Sequence, residues 1–177
     1  MTKILVLSDT HLEEGLFQGL EEMAQGADLL MHAGDFVTLR VYDSLAVLGR
    51  LVAVHWNADP PALRRLLPAR RLVEVQGVRI GLVHRPSLSW ESPGPGLLAR
   101  EMDVDVLVFG HLHRPFVEEG RRLLLCPGSP TLPRMSPPAV AEIEIKDGKV
   151  SGRILPLDGP ACEYFKYAES LAEEGRH

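Results

Sequence analysis

The sequence predicts a mixed α/β fold, and three observations predict it. Short apolar runs of strand length alternate with amphipathic helical segments from Ile4 to Leu67. Beyond Leu67 the apolar runs are separated by turn residues, as in hairpins. Finally, residues that carry metal or acid–base chemistry stand immediately after apolar runs, the edge of an open α/β sheet where ligands bind.

Ile4–Ser8 reads as the first strand, followed by Asp9-Thr10-His11. Leu16, Phe17, Leu20, Met23 and Ala24 recur at helical spacing and predict an amphipathic helix. Asp28–Ala33 is the second strand, with Gly34-Asp35 behind it. A second helix is expected over Leu39–Leu48, with Val41, Leu45 and Leu48 on one face and Gly49 as its C-cap. Leu51–His55 is the third strand and ends in Trp56-Asn57-Ala58-Asp59. Pro60-Pro61 then opens a short helix carrying Leu63, Leu66 and Leu67. Strand–helix–strand–helix–strand requires parallel pairing with right-handed crossovers.

The pattern then changes. Leu72–Val75, a Gln76-Gly77 turn and Val78–His84 read as a hairpin. Ser87–Gly96 is rich in proline and glycine and reads as an irregular loop, with a short helix expected around Leu97–Met102. The apolar run Val104–Phe109, interrupted only by Asp105, is a buried strand leading into Gly110-His111-Leu112-His113. Phe116–Glu118 and Leu123–Cys126 suggest another hairpin, and Pro127–Pro138 a loop. Ala139–Ile145, a Lys146-Asp147-Gly148-Lys149 turn and Val150–Leu155 form a final hairpin. Residues 1–155 are expected to be one domain. Residues 156–177 are a C-terminal extension, with a helix over Cys162–Glu174 packing on that domain or on a partner.

Composition limits the function classes. The 177 residues are 45% hydrophobic and 24% charged, which suits a single globular domain. With 19 Lys and Arg against 24 Asp and Glu, the formal charge is −5. An acidic surface has no general attraction for polyanions, so a long nucleic acid partner is disfavoured. The two cysteines, Cys126 and Cys162, form no CxxC pair and point to a reducing compartment. The chain enters a strand at once, and no apolar stretch reaches membrane-spanning length. A cytoplasmic protein without a membrane partner is therefore expected; a homo-oligomer is left open.

Candidate ligands cluster at strand ends. Asp9 and His11 follow the first strand, Asp35 the second and Asn57 the third; His84 ends the Val78 strand, and His111 and His113 follow the Val104 strand. Each has a simpler reading: Asp9 and Asp35 as helix caps or turn residues, Asn57 as a turn residue, His84 as a satisfied core histidine, His111 and His113 as a surface pair. Chance delivery of all of them to strand ends is far less expected than of any one. Mixed carboxylate, amide and imidazole donors suit manganese, iron, zinc, nickel or cobalt better than magnesium or calcium. A displacement using two metals needs them about 3.5–4 Å apart, which calls for a bridging carboxylate.

Asp9-x-His11, Gly34-Asp35, Asn57-x-Asp59, His84 and Gly110-His111-x-His113 together resemble the calcineurin-like metallophosphoesterase signature. With the chain's small size, Cys126-Pro127-Gly128-Ser129 resembles the compact YfcE-type phosphodiesterase branch. The resemblance implies a four-layer αββα sandwich, two mixed β-sheets face to face with flanking helices. It also implies a metal-dependent phosphodiesterase acting on a small phosphodiester, with two divalent ions, manganese foremost and nickel, cobalt, iron or zinc as alternatives. Asp9, His11, Asp35 and His113 would bind one ion. Asp35, Asn57, His84 and His111 would bind the other, with Asp35 bridging. The implied reaction is in-line attack on phosphorus by a hydroxide bridging the ions, with Asp35, Asn57 and His111 around it. A phosphomonoesterase or nucleotide-polyphosphate hydrolase would use the same site. A non-catalytic interaction scaffold, as in the retromer subunit of this fold, is the alternative of another class.

Several positions depart from the family's usual pattern. Trp56 replaces the glycine before Asn57, and Ala58 replaces a histidine that protonates or binds phosphate in many relatives. Without it, esters with poor leaving groups should react slowly. Arg85-Pro86 replaces Gly-His after His84, and Arg85 is a candidate phosphate contact. His32 is expected in the core or behind a ligand, and His55 as an orienting group. Trp56 is expected to pack in the core or at the rim, and Ser129 and Arg134 to line the cleft.

Overall fold

The computed structural model describes residues 1–86 and 94–159. In chain order the elements are β1 (Thr2–Leu7), α1 (Leu20–Gln25), β2 (Leu29–His32), α2 (Leu39–Leu48), β3 (Leu51–Ala53) and α3 (Pro61–Leu66). There follow β4 (Arg70–Val75), β5 (Val78–Val83), α4 (Gly94–Glu101), β6 (Val106–Val108), β7 (Phe116–Glu119), β8 (Leu123–Cys126), β9 (Ala139–Lys146) and β10 (Lys149–Pro156). They build two five-stranded sheets, in the orders β10-β9-β1-β2-β3 and β4-β5-β6-β8-β7.

Both sheets are mixed. β1, β2 and β3 pair in parallel, and β9 and β10 add antiparallel beside β1. β5, β6 and β8 pair in parallel, with β4 and β7 antiparallel at the edges. The turns suit their residues: Gln76-Gly77 and Asp147-Gly148 hold both positions at positive φ, as two-residue hairpin turns require.

Alternation along the strands makes the layers. Ile4 and Val6 of β1 join Met31, Val52, Ile80, Leu82, Val106, Val108 and Leu125 in one buried cluster, which places the sheets face to face. Leu5 and Leu7 point the other way and pack with Leu20, Val41, Leu45 and Leu63 from α1, α2 and α3. Leu107 and Leu124 likewise turn outward onto Leu98 and Ala99 of α4. The result is the four-layer αββα sandwich that the resemblance implied.

Some boundaries differ from expectation. Leu16 and Phe17 lie outside α1, because Gly19 at φ 84 starts the helix only at Leu20. They still pack half-buried on the helical layer, which explains their helix-like spacing. α4 begins at Gly94, inside the stretch read as loop. β3 and β6 are shorter than their apolar runs, although Val54, Val104 and Phe109 remain buried. Cys126 is a buried free thiol, with burial pushing it up to about 12. Cys162, the expected Cys162–Glu174 helix and most of the Ser87–Gly96 loop lie outside the described residues. Among the described residues no helix is long and apolar enough to cross a membrane.

Candidate metal centre

The carboxyl ends of β1, β2, β5 and β6 converge across the two sheets. Asp9, His11 and His113 each offer a ligand atom within 4.8 Å of the others, and so do Asp9, Asp35 and His84. Asp9, Asp35, His84 and His113 are buried, at 0%, 5%, 1% and 4% exposure. Asp35 Oδ2 lies 3.7 Å from His11 Nε2 and 3.4 Å from His84 Nε2. Asp9 Oδ1 lies 3.2 Å from His113 Nε2 and 3.8 Å from His84 Nε2.

Asn57 and His111 are exposed at the rim. The His111 ring stands edge-on to His84, centroids 5.4 Å apart. Asn57 is placed by its neighbours: Ala58 N–H donates to Asp35 Oδ1 at 3.3 Å, and Trp56 stacks on His84 at 5.5 Å. The expected rim-packing role of Trp56 is thus a stack on a candidate ligand.

The backbone is bent to bring these groups together. Asp9, His11, Asp35, His111 and His113 all have positive φ, between 42° and 73°. Non-glycine residues rarely adopt this region; each such residue costs about 1–3 kcal/mol and tends to mark a functional site. The two glycines of the signature admit the close approach. A Cβ on Gly110 would stand 2.0 Å from Ser8 Oγ, and one on Gly34 3.1 Å from His84 Nδ1. Gly110 N–H donates to the His84 carbonyl, and Asp9 N–H to that of Gly34.

Hydrogen bonds behind the site decide which atoms face inward. His84 Nδ1 is 2.8 Å from the Ala33 carbonyl and His113 Nδ1 2.7 Å from that of Leu132. A carbonyl only accepts, so Nδ1 carries the hydrogen and Nε2 keeps its lone pair. Asp9 Oδ2 accepts from the Ser8 hydroxyl at 2.6 Å and from His111 N–H at 3.0 Å, leaving Oδ1 inward. Asp9 Oδ1, His11 Nε2 and His84 Nε2 are buried without a hydrogen-bond partner among the described residues. Buried polar atoms are otherwise almost always satisfied. Inward lone pairs on a carboxylate and two imidazoles are the donor set of a borderline transition-metal ion. These residues therefore fit a metal ion.

The electrostatics agree. Burial lowers His84 to about 4 and lowers His11 and His111, so these imidazoles are neutral, as ligation requires. Burial and the Asp9 carboxylate raise Asp35 to about 7. Burial alone would raise Asp9, but His113, His84 and Ser8 hold it below the usual range. Burial would lower His113, and Asp9 reverses that. Two adjacent buried carboxylates, one of them resisting ionisation beside the other, form a charge-frustrated pair that a cation relieves.

Of the supporting residues singled out from sequence, Ser129 departs from its expected place. Ser129 does not line a cleft: it is fully buried, donating to the Asp9 carbonyl and accepting from Thr131 and Leu132 N–H. Leu132 in turn anchors His113, and Thr131 Oγ1 donates to the Thr10 carbonyl. Arg134 is exposed, with its N–H on the His113 carbonyl. His32 is buried and stacked on Phe36; Gly34 N–H donates to its Nδ1, and Nε2 meets Thr10 Oγ1. His55 Nδ1 has no hydrogen-bond partner among the described residues. Sequence reading gave Asp59 no separate role; it accepts four backbone N–H groups around Asp35 and Trp56.

Comparison with known proteins decides the family. The profile of the calcineurin-like phosphoesterase superfamily domain matches residues 2–148. The chain belongs to that superfamily. A "probable metallophosphoesterase" of Methanocaldococcus jannaschii is 33% identical over 159 residues, covering 86% of this chain and 80% of that protein. The calcineurin-like fold is also shared with zinc-complexed Vps29 of Entamoeba histolytica, at TM-score 0.70 and 24% identity over 87% of this chain and 98% of that one. An archaeal protein described as a novel phosphodiesterase superposes at TM-score 0.64 and 20% identity, covering 86% and 99%. A phosphoesterase hydrolase with candidate metal-ligating residues at its strand ends is the reading that family and geometry share.

Proposed function

We propose that the protein is a metal-dependent phosphodiesterase that hydrolyses a small phosphodiester with two divalent ions. The observation that supports the two-ion reading is that Asp35 Oδ2 lies 3.7 Å from His11 Nε2 and 3.4 Å from His84 Nε2, within reach of one ligand proposed for each ion. Asp9, His11, Asp35 and His113 would hold one ion; Asp35, Asn57, His84 and His111 would hold the other. Manganese is the foremost candidate, then nickel, cobalt, iron or zinc. When bound, the ions supply Lewis acidity toward the phosphoryl oxygens and a nucleophile from water at neutral pH.

The chain's own residues do the rest. Ala33 and Leu132 carbonyls hold the rings of His84 and His113 with Nε2 inward. Ser8 and the His111 N–H fix Asp9 so that one oxygen remains for ligation. Arg85, close enough to His111 to lower it electrostatically, binds a non-bridging phosphoryl oxygen. Ala58 has no proton to give, so esters with good leaving groups react fastest. The partner is a small phosphate ester, not a long nucleic acid, and the compartment is the cytoplasm.

The deciding experiment assays the protein with manganese, nickel, cobalt, magnesium and zinc on an aryl phosphodiester and an aryl phosphomonoester. Faster turnover of the diester is expected. Preference for the monoester would turn the assignment to a phosphomonoesterase or nucleotide-polyphosphate hydrolase. Metal uptake without turnover of either would favour an interaction scaffold.

A further inference from the structure

We infer that Asp59, which is not itself a metal ligand, is the positioning residue that sets the second ion's ligands against each other. The inference rests on the two-ion reading above. Asp59 is 1% exposed and its carboxylate is filled. Oδ1 accepts from Phe36 N–H at 2.7 Å and Val37 N–H at 3.1 Å. Oδ2 accepts from Asp35 N–H at 3.1 Å and Trp56 N–H at 2.8 Å. Four donors need an acceptor with two lone pairs on each of two oxygens and no hydrogen of its own. Among side chains only a carboxylate provides that.

The geometry shows what the filled carboxylate achieves. Asp35 and Val37 have φ 62 and 76, and a β-branched residue such as Val37 is a genuine outlier there. Three successive N–H groups in such a turn form a concavity that favours an anion, and Asp59 is that anion. Oδ2 takes one donor from each loop: one is Asp35, and the other is Trp56, which precedes Asn57 and stacks on His84. The Asp35 backbone and the residue before Asn57 are therefore registered through one oxygen, while the Ala33 carbonyl holds His84. Asp9 and His113 are held by other groups, namely Ser8, Ser129 and the Leu132 carbonyl. The first ion shares Asp35 but keeps Asp9 and His113, so loss of Asp59 should weaken the second ion more than the first.

Asp59→Asn isolates the effect. In either orientation its NH2 group faces two N–H donors, so two bonds are lost while the volume is kept. The metal-free protein is titrated with Mn2+ by calorimetry, and the loaded protein is examined by electron paramagnetic resonance. Wild type should take up two ions with a spin-coupled signal. Asp59→Asn should keep the first ion and bind the second about 10–100-fold more weakly, with a six-line mononuclear signal in place of the coupled one. Unchanged affinity and signal overturn the inference. So does equal weakening of both ions in step with a lowered thermal midpoint, which is what a merely structural residue would give. Should Asp59→Asn not fold, Val37→Gly, which relieves the positive φ, is compared with Val37→Gly/Asp59→Asn. The same selective loss is expected, and equal binding by the two overturns the inference. A wild type that takes up fewer than two ions refutes the two-ion reading itself, and the inference with it.

Discussion

Asp35 Oδ2 and His84 Nε2 face each other at 3.4 Å, one from the loop after β2 and the other from the end of β5. The two sheets thus contribute opposite sides of one site, and their packing sets its width. A bridging Asp35 makes its carboxylate indispensable. Asp35→Asn should bind at least one ion fewer than wild type by metal analysis after gel filtration. Unchanged stoichiometry would refute the bridge.

Proton release follows from the same residue. Metal-free Asp35 is raised to about 7 by burial and the Asp9 charge, and ligation requires the carboxylate. Below pH 7, binding must expel that proton, so affinity should rise with pH and level off near 7. Calorimetry in two buffers of different ionisation enthalpy should count close to one proton released at pH 6 and few at pH 8. Equal counts at both would contradict the assignment.

The buried histidines set a different pH response in the metal-free protein. Burial lowers His32 to about 3 and His84 to about 4, from 6.5 in an unfolded chain. Between 4 and 6.5 the unfolded state holds the extra protons, so these groups add stability as pH rises, each by up to about 1.4 kcal/mol per pH unit. Asp35, raised instead, opposes them over the same window with one proton. The net expectation is stability rising from pH 4 to 6.5. His32→Asn keeps an acceptor for the Gly34 N–H and should flatten the slope by about one proton's worth, read from urea midpoints. A slope unaltered by that change would count against the burial argument.

Gly110 tests the close packing of the site. A Cβ there meets Ser8 Oγ at 2.0 Å, Asp9 Oδ2 at 2.9 Å and His84 Nδ1 at 3.1 Å. Gly110→Ala should cost about 1–3 kcal/mol and weaken metal uptake, because the displaced atoms include two candidate ligands. Differential scanning fluorimetry with and without Mn2+ checks both effects. A thermal midpoint equal to wild type would contradict close packing at Gly110.

Arg85 tests the phosphate contact. Removing a charge-assisted hydrogen bond to a phosphoryl oxygen should lower kcat/KM by about 10–100-fold. Arg85→Ala should do so with metal stoichiometry intact. An unaltered kcat/KM with both model esters would remove Arg85 from the site.

Much of this was legible in the chain. The period-two alternation Ile4, Val6 against Leu5, Leu7 reports directly on which face each strand buries, and the structure divides these residues between the inter-sheet and helical layers. Asp9, His11, Asp35, His84 and His113 stand beside apolar runs because strand ends are where a buried chain first reaches solvent. The opening residues of α1 were misread, since periodicity does not register that Gly19 takes a left-handed turn. Ser129 was misplaced because sequence proximity to a loop says nothing about which way a hydroxyl turns.

The sequence by itself determined the element order, the two faces of each strand and the donor types gathered at the strand ends, because these depend on residue identity and local period. Only the tertiary structure decided which atoms of those donors face inward. That choice rests on long-range hydrogen bonds, His84 to Ala33, His113 to Leu132 and Asp59 to Asp35. It rests also on glycines that let two sheets approach at Gly34 and Gly110. Such contacts join residues distant in the chain, and no local pattern encodes them.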